Sequence, residues 1–137
     1  MLFRSARTAC EPHRRLRQFE GRPGVGFELR SHALTLTVTK DDIRVSVVVP
    51  ESVLEWFVDV ERSESGSRAT DWVDYEGYGD DTDAEETMAE EVAYFVNQLI
   101  ERNLRYTEDA KQPARGVLEW HVNGQWHQAV PFVVPTA

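Results

Sequence analysis

The feature that most constrains this chain is one long amphipathic helix predicted in its second half. Between about Ala84 and about Arg105, apolar residues recur three and four positions apart and form a single stripe: Met88, Val92, Phe95, Val96, Leu99 and Ile100. Thr82 or Asp83 can cap the start, and a glutamate three residues on completes a capping box. Because such a helix must bury its stripe against another element, the rest of the chain has to supply a matching apolar surface.

Alternating segments before the helix predict that surface as a β-sheet. Phe27–Arg30 is a candidate first strand, and Ala33–Thr39 and Ile43–Val49 each place apolar side chains on one face. The latter two are separated by a short polar turn, which predicts an antiparallel hairpin. Val53–Glu61 fits helical and alternating spacing alike, and its β-branched and aromatic content favours a strand.

A second hairpin is predicted after the helix. Val117–Val122 and Gln125–Val134 flank Asn123-Gly124, and this dipeptide between apolar runs is the strongest short hairpin signal. Strands, one long helix and two further strands together predict the α+β class. We expect a mostly antiparallel sheet of about five to six strands, with the long helix packed on one face.

The 137 residues suit one folded domain with an N-terminal extension. Residues 1–26 are rich in arginine and end in a glycine-rich loop, so we expect a basic, flexible arm, and residues 27–137 form the single α+β domain. Cys10 is the only cysteine, which fits a reducing cytoplasm. The longest apolar run, Val45–Val49, is far shorter than the roughly 20 residues of a membrane span.

Charge is distributed unevenly along the chain, whose formal net charge is −9. Residues 1–30 contain seven arginines and three glutamates, whereas residues 51–110 contain eighteen acidic residues and four arginines. Such an acidic body repels phosphate backbones, so we expect the folded body not to bind nucleic acid. It attracts basic surfaces instead, and the partner we expect is a basic protein.

The segment between Asp71 and Glu86 mixes aromatic and acidic residues around two glycines, and we expect a structured loop leading into the helix. Aromatic rings supply contact area at protein interfaces, and carboxylates steer a basic partner. Trp72, Tyr75 and Tyr78 are the expected anchors; the alternative is that the first two anchor the loop in the core. The predicted partner-binding residues are Asp71, Trp72, Asp74, Tyr75, Tyr78, Asp80 and Asp81.

Motifs for catalysis or metal binding are not evident. A two-residue turn at Asn123-Gly124 places His121 and His127 on opposite faces, where they cannot share a zinc ion. A three-residue turn, Asn123-Gly124-Gln125, would place the two histidines opposite each other, but without a nearby third ligand they would make a weak zinc site. The acidic segment does not match a calcium-binding EF-hand loop, since the first ligand position falls on Trp72. No nucleophile elbow, metalloprotease or phosphate-loop motif occurs. We therefore expect no catalytic residue, no metal and no cofactor.

Size, charge and fold class together are typical of small immunity or inhibitor proteins that neutralise a basic bacterial toxin, although no motif indicates a family. Two other function classes remain open. One is a small-molecule-binding domain or enzyme with a pocket between sheet and helix, lined by Trp56, Trp120 and Trp126. The other is a self-associating structural protein, since Phe57 and Val48 suggest a second apolar sheet face that could form a homodimer.

Overall fold

The computed structural model describes residues 11–51, 53–75, 81–108 and 116–129, and at residues 81 and 82 it describes the backbone alone. Within these ranges lie a short helix, a 3₁₀ turn, a long helix and eight strands. In chain order they are α1 (residues 11–16), the 3₁₀ turn Arg17–Phe19, β1 Val25–Arg30, β2 Ala33–Lys40, β3 Ile43–Pro50, β4 Glu55–Arg62, β5 Arg68–Asp74, α2 Asp81–Glu101, β6 Leu104–Glu108, β7 Gly116–Val122 and β8 Gln125–Gln128.

The strands form two antiparallel sheets in which each strand pairs with the next along the chain. The larger sheet has the order β1-β2-β3-β4-β5, and the smaller has the order β6-β7-β8. The predicted α+β class and mostly antiparallel sheet are confirmed. The structure adds that the hairpin after α2 belongs to the smaller sheet.

The core lies between the inner face of the larger sheet, α2 and the smaller sheet. Alternate residues of β2, β3 and β4 are buried, as the alternation predicted, and so is the apolar stripe of α2. The ring of Phe95 packs against those of Trp56 and Trp120, at centroid distances of 5.6 Å to each. Phe95 therefore joins the helix to both sheets. In the described part of the chain, no helix has the length and apolar character that crossing a membrane requires.

The turn between β7 and β8 has the predicted two-residue form. Asn123 and Gly124 have φ angles of 50° and 80°, the left-handed conformation that a type I′ turn needs. Val122 consequently pairs with Gln125 across the hairpin.

Helix α2 ends earlier than the periodicity predicted, at Glu101 instead of about Arg105. The Lys40 ammonium donates hydrogen bonds to the carbonyls of Ile100 at 2.7 Å and Arg102 at 2.5 Å, which satisfies acceptors that the helix end leaves open. The residues beyond form β6, whose Tyr106 pairs with Leu118 of β7. Pairing with a strand distant in sequence thus overrides the helical pattern.

The predicted loop between Asp71 and Glu86 also differs from the structure. Its first residues, through Asp74, belong to β5 and pair with β4 from Glu55 onward. In the described residues helix α2 extends from Asp81 onward, so the predicted caps Thr82 and Asp83 lie within the helix. Pairing with the edge of β4 makes these residues a strand, and the composition of the segment by itself did not indicate that pairing.

The predicted N-terminal arm, residues 1–26, is described from residue 11 onward, and residues 1–10 lie outside the described ranges. Residues 11–16 are helical, and the side chains of Leu16 and Phe19 are buried in the core. A ring nitrogen of His13 lies 3.0 Å from the Val49 carbonyl oxygen. These contacts attach the segment to the larger sheet.

Candidate functional site

Tyr75, one of the predicted partner-binding residues, is a core residue with only 5% of its surface exposed. The buried indole N–H of Trp56 donates to the Tyr75 hydroxyl oxygen at 3.0 Å. The Tyr75 hydroxyl in turn donates to the Glu91 carboxylate at 2.6 Å. This chain of hydrogen bonds links β4 to α2, so the Tyr75 ring is not displayed on a surface.

We expect Tyr75→Phe to lower the free energy of unfolding by about 1–2 kcal/mol, because the substitution leaves the buried indole N–H of Trp56 without its acceptor. Urea unfolding followed by circular dichroism measures the loss. Tyr94→Phe is the matched control, since Tyr94 lies partly exposed on the same helix that Tyr75 contacts. Equal stability of the two variants would contradict this role of Tyr75.

Trp72 has the opposite environment, with 55% of its surface exposed on the outer face of the larger sheet. Asp71 and Asp74 are exposed beside it in β5. The Trp72 backbone N–H donates to the Asp71 carboxylate at 2.8 Å, and its indole N–H donates to the Glu55 carboxylate at 3.2 Å. Of the remaining predicted residues, Tyr78 and Asp80 lie outside the described residues, and the side chain of Asp81 is not described.

The strand register aligns Trp72 with two further apolar residues on the outer face. Val48 of β3 pairs with Phe57 of β4, and Phe57 pairs with Trp72 of β5. Phe57 is 37% exposed. The alternation of β4 indicated Phe57 as an outer residue, but its place beside Trp72 depends on the β4–β5 pairing, which no local pattern specifies.

A shallow depression of about 400 Å³ lies on the outer face beside these rings. We call it the β4–β5 depression, and it is lined by Phe57, Val58, Asp59, Thr70, Asp71 and Trp72. By the strand register, Phe57, Asp59, Thr70 and Trp72 present their side chains to this face, whereas Val58 and Asp71 form a pair on the inner face. Asp59 and Thr70, which sequence reasoning missed as site residues, are cross-strand partners.

Carboxylates dominate the charge around the β4–β5 depression. Arg68 donates to Asp59 Oδ2 at 2.6 Å, and this hydrogen bond together with the negative charge of Asp59 raises the pKa of Arg68. The same guanidinium lies 4.0 Å from Glu61. Arg44 of β3 likewise donates to Glu61 at 2.6 Å. The outer-face carboxylates of β4 and β5 still outnumber these two arginines, so the local charge is negative: Glu55, Asp59, Glu61 and Asp74.

Two of the three tryptophans that the alternative hypothesis places around a pocket between sheet and helix are buried in the core. Trp56 and Trp120 are buried against Phe95, and Trp126 instead lies under the Arg105 guanidinium, 4.4 Å from its ring centroid. A cleft of about 120 Å³ lies between β5 and β7, below the 300–1,000 Å³ typical of ligand pockets.

The two histidines of the β7–β8 hairpin lie on opposite faces of the smaller sheet, as the turn predicted. His121 pairs with Trp126, and His127 pairs with Trp120. Within the described ranges, no three histidine, cysteine, aspartate or glutamate side chains are grouped so that they could hold a metal ion.

Comparisons with known proteins give no relative from which a function could be transferred. The chain matches no family model, no curated protein and no solved structure. A functional proposal must therefore be based on the site itself.

Proposed function

We propose that this chain is a non-enzymatic protein-binding domain that binds a basic protein through the outer face of β4 and β5. The observation that carries the proposal is the exposure of Phe57 and Trp72 side by side on an outer face that also holds the carboxylates of Glu55, Asp59 and Asp74. Exposed aromatic residues are the commonest anchors of protein interfaces. The carboxylates favour a partner of positive charge.

The contact surface differs from the one predicted from sequence. Trp72 and Asp74 remain in it, and Phe57 and Asp59 join it. Tyr75 leaves it because its ring is buried, and Asp71 leaves it because its pairing with Val58 sets it on the inner face. The indole of Trp72 is also held in place by its hydrogen bond to Glu55. A ring fixed before binding loses little conformational entropy on association, which favours affinity.

The finer form of this proposal is an immunity- or inhibitor-type protein of a bacterial cytoplasm. Its basic partner would be a toxin, which the acidic surface neutralises by covering it. The excess of acidic residues between positions 51 and 110 supports rapid, salt-sensitive association with such a partner. The single cysteine is consistent with a compartment where thiols stay reduced.

Affinity capture from the native cell, followed by calorimetry on the purified partner, tests the proposal. We expect a basic protein to be retained, and Trp72→Ser to raise its dissociation constant by about thirtyfold, as for a central interface residue. Phe57→Ser should weaken binding in the same direction. Leu29→Ser is the matched control, because Leu29 is equally exposed but lies on β1, at the opposite edge of the sheet.

Two results would overturn the proposal. One is that the double variant Trp72→Ser, Phe57→Ser retains the same proteins as the wild type, and the other is that no basic protein is captured. Sedimentation addresses self-association separately. A dimer that the double variant dissociates would assign the outer face to a second copy of the chain, and the basic-partner function would then be wrong.

A further inference from the structure

We infer that the β4–β5 depression binds an arginine side chain of the partner. This inference rests on the proposed function and names the chemical group that the surface recognises. It depends on three features of the described residues: the closeness of the two rings, the position of the carboxylates, and a matching arrangement elsewhere in the same chain.

The rings of Phe57 and Trp72 project from a closely spaced strand pair. The backbone N–H of Tyr75 donates to the Leu54 carbonyl, and that of Arg62 donates to the Ser67 carbonyl. Hydrogen-bonded and non-hydrogen-bonded pairs alternate along an antiparallel ladder, so Phe57 and Trp72 form a non-hydrogen-bonded pair. Their Cα atoms are then about 4.5 Å apart, which brings the two side chains together on the outer face.

Carboxylates lie beside these rings in positions that suit a cation. Glu55 and Asp74 pair across the two strands on the same outer face as the rings, and Glu55 accepts the indole N–H of Trp72. A cation stacked on an aromatic face is attracted by the ring, and neighbouring carboxylates add charge-assisted hydrogen bonds.

The smaller sheet shows the same combination within the chain. There the guanidinium of Arg105 lies 4.4 Å from the ring centroid of Trp126 and donates through Nε to the Glu119 carboxylate at 2.8 Å. That contact contains an arginine, a tryptophan and a carboxylate. The outer face around the β4–β5 depression holds the tryptophan and the carboxylates, and the guanidinium would come from the partner.

Arginine fits this arrangement better than lysine. Its planar guanidinium stacks on aromatic rings and carries several donors in one plane, so it can contact Trp72 and a carboxylate at once. A lysine ammonium is a compact, strongly hydrated charge that gains less from stacking. The partner segment is therefore expected to place an arginine, not only positive charge, over the Phe57–Trp72 pair.

Titration with short peptides tests the inference without the natural partner. The probes are acetylated tetra-arginine, tetra-lysine and tetra-citrulline, the last of which keeps the shape of arginine without its charge. Nuclear magnetic resonance of the tryptophan indole N–H groups gives the readout, and the Trp72 signal is assigned with Trp72→Phe. The buried indole of Trp56 serves as an internal reference, because its N–H is bound to Tyr75.

We expect the arginine peptide to move the Trp72 signal to saturation, with an affinity about fivefold above that of the lysine peptide. Citrulline should leave the signal in place. Glu55→Gln should weaken arginine binding severalfold, since the amide oxygen still accepts the Trp72 indole N–H but the charge is lost. Glu28→Gln is the matched control, because it removes one charge at the far edge of the same sheet.

Equal responses to arginine and lysine would overturn the inference and leave a surface that recognises charge alone. A Trp72 signal that does not move would also overturn it. If the natural partner nevertheless still depends on Trp72, the proposed function stands and only the arginine site is wrong. If arginine binds at Trp72 but no protein partner depends on this residue, the proposed function is wrong.

Discussion

Phe95→Ala is expected to lower the free energy of unfolding by about 3–5 kcal/mol. The Phe95 side chain is 1% exposed and contacts the rings of both Trp56 and Trp120. Its truncation opens a cavity where α2, the larger sheet and the smaller sheet meet. Because a domain is typically stable by only about 5–15 kcal/mol, a substantial fraction of this variant should be unfolded at physiological temperature.

Urea unfolding, followed by the fluorescence of the buried tryptophans, measures the effect. Tyr94→Ala is the matched control, because Tyr94 is the adjacent helix residue and is 38% exposed. The free energy of unfolding of Tyr94→Ala should fall much less than that of Phe95→Ala, since substitutions of exposed side chains usually have small effects on stability. A Phe95→Ala variant as stable as Tyr94→Ala would show that the helix does not join the two sheets through this ring. Should the alanine variant fail to fold, Phe95→Leu provides a smaller cavity and a measurable, intermediate loss.

Gly116→Ala is expected to destabilise the chain by up to about 3 kcal/mol, through overpacking and not through backbone conformation. A Cβ atom at Gly116 would lie 2.1 Å from Cζ of Tyr106, which is closer than two nonbonded carbon atoms can approach. The Tyr106 ring cannot turn aside easily. It is buried, and its hydroxyl is hydrogen-bonded to the Ser67 hydroxyl at 3.0 Å.

Gly26→Ala is the control for this substitution, because a Cβ atom at Gly26 meets nothing closer than 3.7 Å and its site is also a strand. Removing a glycine there should leave stability unchanged or raise it slightly. The Gly116→Ala cost should also shrink in a Tyr106→Leu background, which a double-mutant cycle on thermal unfolding would quantify. If Gly116→Ala destabilises the Tyr106→Leu variant as much as the wild type, a steric clash with Tyr106 is not the cause.

Part of the candidate site could be predicted from the sequence, and part could not. Trp72 and Tyr75 appeared equivalent, since both are aromatic residues in an acidic segment. In a strand, positions three apart point to opposite faces. Once Trp72 is placed in β5 and its pairing with Phe57 sets it on the outer face, Tyr75 must turn inward, where the Trp56 indole and Glu91 bind its hydroxyl.

Local periodicity determined the α+β class, the hairpin turn at Asn123-Gly124 and the buried faces of β2, β3 and β4. These features follow from the spacing of neighbouring side chains, which the amino-acid order states directly. Only the tertiary structure decided that the strands divide into two sheets, that α2 stops at Glu101, and that Phe57 lies beside Trp72. Each of these depends on hydrogen bonds and packing between residues far apart in the chain, and the free energy of such contacts overrides the weak preferences of short segments.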